Sequence, residues 1–538
     1  MLQSGKDYET LTRSFAWQIP ERFNIAAAIS ERWAAAEPDR VAIIHVHADG
    51  RTEPASYGAL DRMANRIANL LRACDVGRGD RVGLVLPQGL ETAAAHIAIY
   101  KLGAVAVPLS LLFGVEALQY RLADAGASAL IVTGAVGPKL AEIRPQLPDL
   151  KHVFSTDEAG EGIASLVQAM ESASDRFAAA DTGPDDPAIM IYTSGTTGPP
   201  KGALHGHRVL LGHLPGVQFA HEFLPQPGDV LWTPADWAWI GGLINVLLPG
   251  LYFGVPVVAR RFDKFDPGLA WALMAEHGIR NVFMPPTGLR MMQAEPLGRW
   301  HNRVMLRSMF SGGETVGRGL QEWSKSTFGL AINEVYGQTE CNLVIESCAG
   351  LGVLRPGAMG KPVPGHTVDI VDADGTPLGA GEIGNIAVRR PDPVMFLQYW
   401  GRPDATRDKY IGDWLITGDQ GVKDDDGYFH FVGRDDDVIT SAGYRIGPGE
   451  VENCLVGHAA VKLAAVVGKP DALRTEIVKA FVVLNQGFAP SDALASEIQA
   501  YVKTRLAAHE YPREIAFTEE LPLTTTGKII RRLLRPMA

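Results

Sequence analysis

The segment Tyr192-Thr193-Ser194-Gly195-Thr196-Thr197-Gly198-Pro199-Pro200-Lys201-Gly202 reads as a phosphate cradle. It follows Pro187-Ala188-Ile189-Met190-Ile191, a short apolar run with β-branched residues that predicts a buried strand feeding a loop. Four hydroxyl residues and three glycines fall between Thr193 and Gly202. Backbone N–H groups and hydroxyls can therefore converge on anionic oxygens without obstruction by Cβ atoms, and Lys201 adds a positive charge. That chemistry suits a triphosphate. A surface linker can also be rich in Gly and Thr, but linkers seldom combine a preceding buried strand, a double proline and a terminal lysine. The loop is not a Walker A sequence, because Pro200 stands where that pattern requires glycine and no Ser or Thr follows Lys201.

Working outward, Arg81 to Leu86 predicts a buried strand, Glu91 to Leu102 a helix, and Ala104 to Leu109 the next strand. The alternation repeats around Ala129 to Val132, the pattern of βαβ units in a parallel sheet. Residues 22–36 and 57–74 have helical periodicity, the second with Leu60, Met63, Ala64, Ile67, Ala68 and Leu71 on one face. The first ~430 residues are expected to form one α/β body, with room for two similar subdomains. A helix is expected from Arg208 to His213. The last ~100 residues alternate helices (448–458, 491–508) and strands (463–468, 478–484, 514–518), a small α+β domain.

Composition bounds the function. The chain has 538 residues, 46% hydrophobic and 21% charged, which is an ordinary globular composition. A net charge of −11 argues against nucleic-acid binding driven by phosphate neutralisation. The four cysteines, Cys74, Cys341, Cys348 and Cys454, are scattered without a CxxC pair, so neither zinc nor a disulfide framework is indicated. Charged residues at Lys6, Asp7, Glu9 and Arg13 leave no apolar signal segment, and a cytoplasmic location is expected. The stretch from Trp237 to Ala259 carries no charge, but its glycines and prolines favour a buried helix and core strand over a membrane span.

Further segments carry chemistry. Tyr336 in Asn333-Glu334-Val335-Tyr336-Gly337-Gln338-Thr339-Glu340 offers a flat face for a base and Gly337 allows close approach, while Glu340 standing alone reads as a solvated loop carboxylate, although a hard-oxygen ligand for Mg²⁺ is the alternative. Trp232, Trp237 and Trp239 near Gly241 and Gly242 read equally as core packing or as the wall of an apolar pocket. Asp236 is read as a core or loop residue. The run Asp424-Asp425-Asp426-Gly427 predicts a hairpin turn. Also present are Phe310-Ser311-Gly312-Gly313-Glu314, Thr417-Gly418-Asp419, Gly433-Arg434-Asp435-Asp436-Asp437, Ser441-Ala442-Gly443-Tyr444-Arg445 and Leu521 to Arg532, which contains Gly527-Lys528.

Taken in order from residue 192 to 532, these segments resemble the signatures of the adenylate-forming superfamily, and within it the acyl-CoA synthetases of short- and medium-chain type. The resemblance implies an α/β fold with a large amino-terminal adenylate-forming body over residues 1–433, a hinge at 434–437 and a small mobile α+β domain over 438–538. It implies ATP, Mg²⁺ and CoA as cofactor and co-substrates, and a carboxylic acid as substrate. By that likeness Thr193 to Gly198 and Lys201 hold phosphates. Gly312, Gly313 and Glu314 pack on adenine with Glu334, Tyr336, Gly337, Gln338 and Thr339. Asp419 holds the ribose, Arg434 contacts the nucleotide, and Glu340 binds the metal. Lys528 is the lysine that stabilises charge during adenylation, so Lys528, Lys201 and Glu340 are the catalytic set. Asp436 is the hinge residue. Ala442, Gly443, Tyr444 and Arg445 line the thiol's path, and Arg474 and Lys503 face the CoA nucleotide. Trp239, Ile240, Gly241 and Gly337 bound the acyl pocket. Dedicated acetate enzymes carry a tryptophan at the place of Gly337, so acetate is not the expected best acid. Glu510 departs from the family, whose members often show a basic residue there. The segment 522–528 is similar to substrates of bacterial lysine acetyltransferases, which makes Lys528 an acetylation candidate. A stand-alone adenylation enzyme loading a carrier protein, a nucleotide-binding protein without chemistry, and a luciferase-like oxygenase are the alternatives.

Overall fold

The computed structural model describes all residues except 4, 194–198, 435–436, 442–443, 472–473, 507–509 and 525–526. It divides into two compact units. One comprises Met1–Leu354, Pro362–His366 and Arg390–Lys409; the other comprises Arg355–Lys361, Thr367–Arg389 and Tyr410–Ala538.

The first unit is built on two largely parallel sheets. In one, Arg81–Val85 lies between Val105–Pro108 and Ala129–Val132, all three parallel, and every residue of the two flanking strands is buried. Unbroken apolar runs are what a strand covered on both faces requires. Pro187–Thr193 joins this sheet parallel to Val105–Pro108 and then turns back as Lys201–Gly206, antiparallel to itself. In the second sheet Leu231–Trp232, Asn281–Phe283, Ser308–Gly312 and Ile332–Tyr336 run parallel in that order. The expected alternation is therefore present, on two separate sheets. The helix Tyr57–Ala73 starts where the Ser56 hydroxyl accepts from Ala59 N, and it buries Leu60, Ala64, Ile67, Ala68 and Leu71 on the periodic face, with Met63 partly buried. The helix expected to end at His213 continues to Ala220 through Pro215. Residues 240–259 form consecutive helical turns and the strand Val257–Ala259, and among the described residues no helix is long and apolar enough to cross a membrane.

Among its described residues the second unit holds two five-stranded sheets. The first pairs Ile383–Arg389, Trp414–Lys423 and Phe429–Arg434 antiparallel, and the 424–427 segment turns the last two as expected. Its turn is fixed by Asp424, which pairs with Arg355 and with His430 at 3.1 Å. The second sheet pairs Val461–Asp471 with Thr475–Leu484, adds Glu514–Phe517 in parallel, and carries a small hairpin of Ile439–Ser441 and Tyr444–Ile446 that periodicity did not reveal. Helices Pro448–Val456 and Asp492–Arg505 cover it.

Candidate active site

Thr193 and Lys201 are register partners where the phosphate-loop segment leaves its sheet, and the Thr193 hydroxyl donates to the Lys201 carbonyl at 3.5 Å. Ser194, Gly195, Thr196, Thr197 and Gly198 lie outside the described residues. The loop's far shoulder is fixed by Tyr120, whose hydroxyl donates to the Pro200 carbonyl at 2.9 Å.

Strands Ser308–Gly312 and Ile332–Tyr336 are parallel neighbours, with Ser311 opposite Glu334 and Gly312 opposite Val335. Their following segments, Gly313-Glu314 and Gly337 to Glu340, therefore emerge side by side at the carboxyl end of the sheet, where open α/β sheets bind ligands. A Cβ on Gly312 would lie 2.4 Å from the Val335 carbonyl oxygen, so only glycine permits this approach. Glu314 accepts from the Thr287 hydroxyl at 3.2 Å and pairs with Arg290 at 3.0 Å. Burial pushes the Glu334 carboxyl up to about 7. Gln338 to Cys341 closes a tight turn in which Gln338 N donates to the Cys341 carbonyl at 2.8 Å, with Thr339 at its bend.

Glu340 is buried and accepts a hydrogen bond from the Tyr399 hydroxyl. The ammonium of Lys201 lies over the ring of the same tyrosine, 5.1 Å from its centre. Tyr399 belongs to the short strand Gln398–Tyr399, paired with Lys201–Gly206, whereas Glu340 follows a strand of the other sheet. One side chain thus links the ends of two sheets, and it carried no sequence signal. A single carboxylate with one oxygen fixed suits Mg²⁺, which takes one or two protein carboxylates and completes its shell with phosphates and water. Among the described residues there is no cluster of three His, Cys, Asp or Glu side chains that would instead favour a fully protein-bound ion.

At the expected acyl wall, Trp239 is half-buried with its ring centre 5.7 Å from that of Phe113 in an edge-to-face contact, and Ile240–Gly242 opens a helix. A Cβ on Gly241 would lie 2.8 Å from the Phe283 ring, which itself stacks on Phe310 at 4.7 Å. Trp237 is core. Asp236 accepts from the Ser110 hydroxyl and the Ala238 N–H, each at 3.0 Å, so it organises its own loop, and burial raises its pKa. A Cβ on Gly337 would lie 2.5 Å from Leu343 N and 2.6 Å from Asn342 Cα. Loop packing alone therefore demands glycine at this position.

In the second unit Asp419 and Arg434 are register partners, 3.2 Å apart. Tyr444 and Arg445 lie in the strand Tyr444–Ile446, while Asp436, Ala442 and Gly443 lie outside the described residues. Arg474 N donates to the Asp471 carboxylate at 2.9 Å, and the Lys503 ammonium lies 5.3 Å over the ring of Tyr511. Lys528 is exposed on a turn in which its N–H donates to the Thr524 hydroxyl at 3.0 Å and its carbonyl accepts from Thr524 N at 2.7 Å. Gly527 supplies the turn's left-handed φ of 86°. Arg531 pairs with Glu452 at 2.6 Å and Asp437 at 3.2 Å, a role in the fold that the sequence did not signal.

The sequence matches the family model of the AMP-binding enzyme over residues 30–400 and that of the AMP-binding enzyme C-terminal domain over residues 450–528. It is 34% identical to the mitochondrial acyl-coenzyme A synthetase ACSM4 of Homo sapiens over 98% of this chain and 93% of that one. It is 33% identical to the acetyl-coenzyme A synthetase of Bacillus subtilis over 98% of this chain and 95% of that one. Among solved structures it resembles the anthranilate CoA ligase AuaEII in complex with anthranoyl-AMP, with a TM-score of 0.87 at 30% identity over 96% of this chain and 98% of that one. With both family domains matched and similarity extending along nearly its whole length, the chain belongs to the AMP-binding enzyme family.

Proposed function

We propose that the protein is an AMP-forming acid:CoA ligase. It activates a short- to medium-chain carboxylic acid, branched and aromatic acids included, as the acyl-adenylate and transfers the acyl group to CoA. The observation that carries this proposal is the meeting of Lys201 and Glu340 at Tyr399, next to a parallel strand pair whose glycine-lined ends suit a nucleotide. The relatives include synthetases named for acyl groups in general and for acetate, and a ligase for anthranilate.

In the first half-reaction an oxygen of the substrate carboxylate bonds to the α-phosphorus of ATP, and the bond from that phosphorus to the bridging oxygen breaks, releasing pyrophosphate. Catalysis is chiefly positioning and charge neutralisation. Lys201 and the hydroxyl loop hold the phosphates that leave. Asp419 accepts hydrogen bonds from the ribose hydroxyls, for which a two-oxygen carboxylate is suited, and Arg434 beside it contacts the nucleotide. Lys528 neutralises the attacking carboxylate and the charge growing on the α-phosphate. Glu340 would hold Mg²⁺, which when bound supplies positive charge to the phosphate oxygens.

In the second half-reaction the thiol of CoA attacks the acyl carbon, and AMP leaves with the anhydride oxygen. Residues 434–437 act as the hinge, with Asp436 at its centre, between an adenylating and a thioester-forming arrangement of residues 438–538. Ala442, Gly443, Tyr444 and Arg445 line the thiol's path, while Arg474 and Lys503 meet the CoA nucleotide. The exposed position of Lys528 suits its acetylation by a lysine acetyltransferase, which would remove the charge and stop adenylation. The protein is assigned to the cytoplasm.

The test is ATP–pyrophosphate exchange over acids from acetate to decanoate with isobutyrate and benzoate, followed by thioester analysis with CoA or a pantetheinylated carrier. Exchange dependent on one acid class and a CoA thioester are expected. Exchange with transfer only to the carrier would replace CoA as acceptor, and no exchange with any acid would overturn the proposal.

A further inference from the structure

We propose that Tyr399 is a positioning residue that makes Lys201 and Glu340 into a single phosphate–metal grip. The inference rests on the proposed adenylation chemistry in taking Glu340 as the metal ligand. Three observations support it.

The Tyr399 hydroxyl donates to Oε1 of Glu340, which fixes the rotation of that carboxylate and leaves Oε2 for a cation. Partners of this kind orient metal ligands, and losing one typically costs ~10–100-fold in metal affinity. The same ring holds the Lys201 ammonium 5.1 Å from its centre, within the distance at which a cation is attracted to an aromatic face. Among the described residues Lys201 is in no ion pair, so a face contact steers the ammonium without consuming the N–H donors a phosphate would take.

The strand context fixes the tyrosine in turn. Tyr399 is opposite Ala203 in the strand Lys201–Gly206, its N–H donates to the Thr406 hydroxyl at 2.9 Å, and its ring packs edge-on against Phe396 at 4.8 Å. The Phe396 N–H then donates to the Glu340 carbonyl at 2.9 Å, so Glu340 is held from both its backbone and its side chain by one short segment. The hydroxyl and the ring face therefore serve different partners. Substitutions can separate them: Tyr399→Phe removes the hydroxyl and keeps the face, whereas Tyr399→Leu removes both.

The experiment follows Mn²⁺ as the probe, by its electron paramagnetic resonance signal with and without ATP, and measures metal-free ATP binding by calorimetry in the full-length protein. For Tyr399→Phe the expected result is a loss of Mn²⁺·ATP affinity of about tenfold or more with metal-free ATP binding unchanged. For Tyr399→Leu metal-free ATP binding also weakens, by about threefold. In a Glu340→Gln background Tyr399→Phe has no further effect on Mn²⁺·ATP, because the hydroxyl acts only through that carboxylate. Tyr399→Phe binding Mn²⁺·ATP as wild type does, or a loss that persists undiminished beside Glu340→Gln, overturns the proposal. Should Tyr399→Phe not fold, Glu340→Gln alone decides, since unaltered Mn²⁺·ATP binding in that variant removes the carboxylate on which the proposal depends. The acid panel is independent of this outcome. Wild type that binds Mn²⁺·ATP through Tyr399 yet exchanges with no acid would overturn the ligase and leave the grip standing.

Discussion

Asp419 and Arg434 face each other across two adjacent antiparallel strands, with a guanidinium nitrogen 3.2 Å from the carboxylate. Asp419 is buried, and its backbone N–H donates to the Thr417 hydroxyl, which donates in turn to the Ile386 carbonyl at 2.7 Å. The backbone at Asp419 is thus fixed, and its buried carboxylate lies beside the Arg434 guanidinium. Hydrogen bonds to a charged group contribute about 1.5–3 kcal/mol. Asp419→Asn, which keeps the shape and removes the charge, is expected to weaken AMP binding at least ~10-fold at ~1.4 kcal/mol per tenfold. Calorimetric titration with AMP checks this, and wild-type affinity in the variant would remove Asp419 from the nucleotide site.

Lys528 stands exposed on a turn closed by two hydrogen bonds to Thr524, neither of which uses its ammonium. Lys528→Ala therefore leaves the turn intact while deleting the charge. Loss of one donor that stabilises developing charge costs ~10²–10³ in rate. Acid-dependent pyrophosphate exchange is expected to fall by that factor while AMP binding changes less than about threefold. A variant that exchanges normally would assign the adenylating charge to another group.

The pieces of the fold and of the candidate site that the sequence points to are those whose signal is local. The strand Pro187–Thr193 could be read because its apolar, β-branched run is local, and the 424–427 turn because Asp-Gly acts on its own backbone. Glu340 could be singled out as a candidate hard-oxygen ligand, but its partner Tyr399 could not. Tyr399 lies on a different sheet, and nothing in Gln398-Tyr399-Trp400 announces a contact made only when the two sheets are assembled. Pro215 hid the second half of the helix Val209–Ala220, since proline is ordinarily a reason to end one. The hairpin of Ile439–Ser441 and Tyr444–Ile446 has strands of three residues, too short to show a period.

Glu334 gives the protein a pH dependence with a definite sign. Burial raises its carboxyl from an ordinary value of 4.5 to about 7, so the folded state retains a proton that the unfolded chain releases. The neutral carboxyl's stabilising advantage is fully present below the unfolded value and is lost as pH rises through about 7. Relative to Glu334→Gln, which is neutral throughout, wild type is expected to lose on the order of 3 kcal/mol of unfolding free energy between about pH 5 and pH 8. Denaturant unfolding of both proteins without nucleotide measures the difference. Parallel curves over that range would mean that Glu334 is solvated or paired in the fold.

Gly337 separates two explanations of one small residue. The resemblance assigns its missing side chain to the acyl pocket, on the ground that acetate enzymes fill the place with tryptophan. The nearest atoms to a Cβ at this position are Leu343 N at 2.5 Å and Asn342 Cα at 2.6 Å. Both are backbone, in the segment just after Glu340, and neither can rotate away as a side-chain end could. Forcing extra volume into such a contact costs about 1–3 kcal/mol. Gly337→Ala is accordingly expected to lower the denaturant midpoint and to weaken nucleotide binding by displacing Tyr336 and Glu340, while the ranking of acids in the exchange assay stays the same. If the variant is instead as stable as wild type and its preference moves toward shorter acids, the glycine faces the acid and the loop accommodates the methyl group by shifting away from residues 342–343.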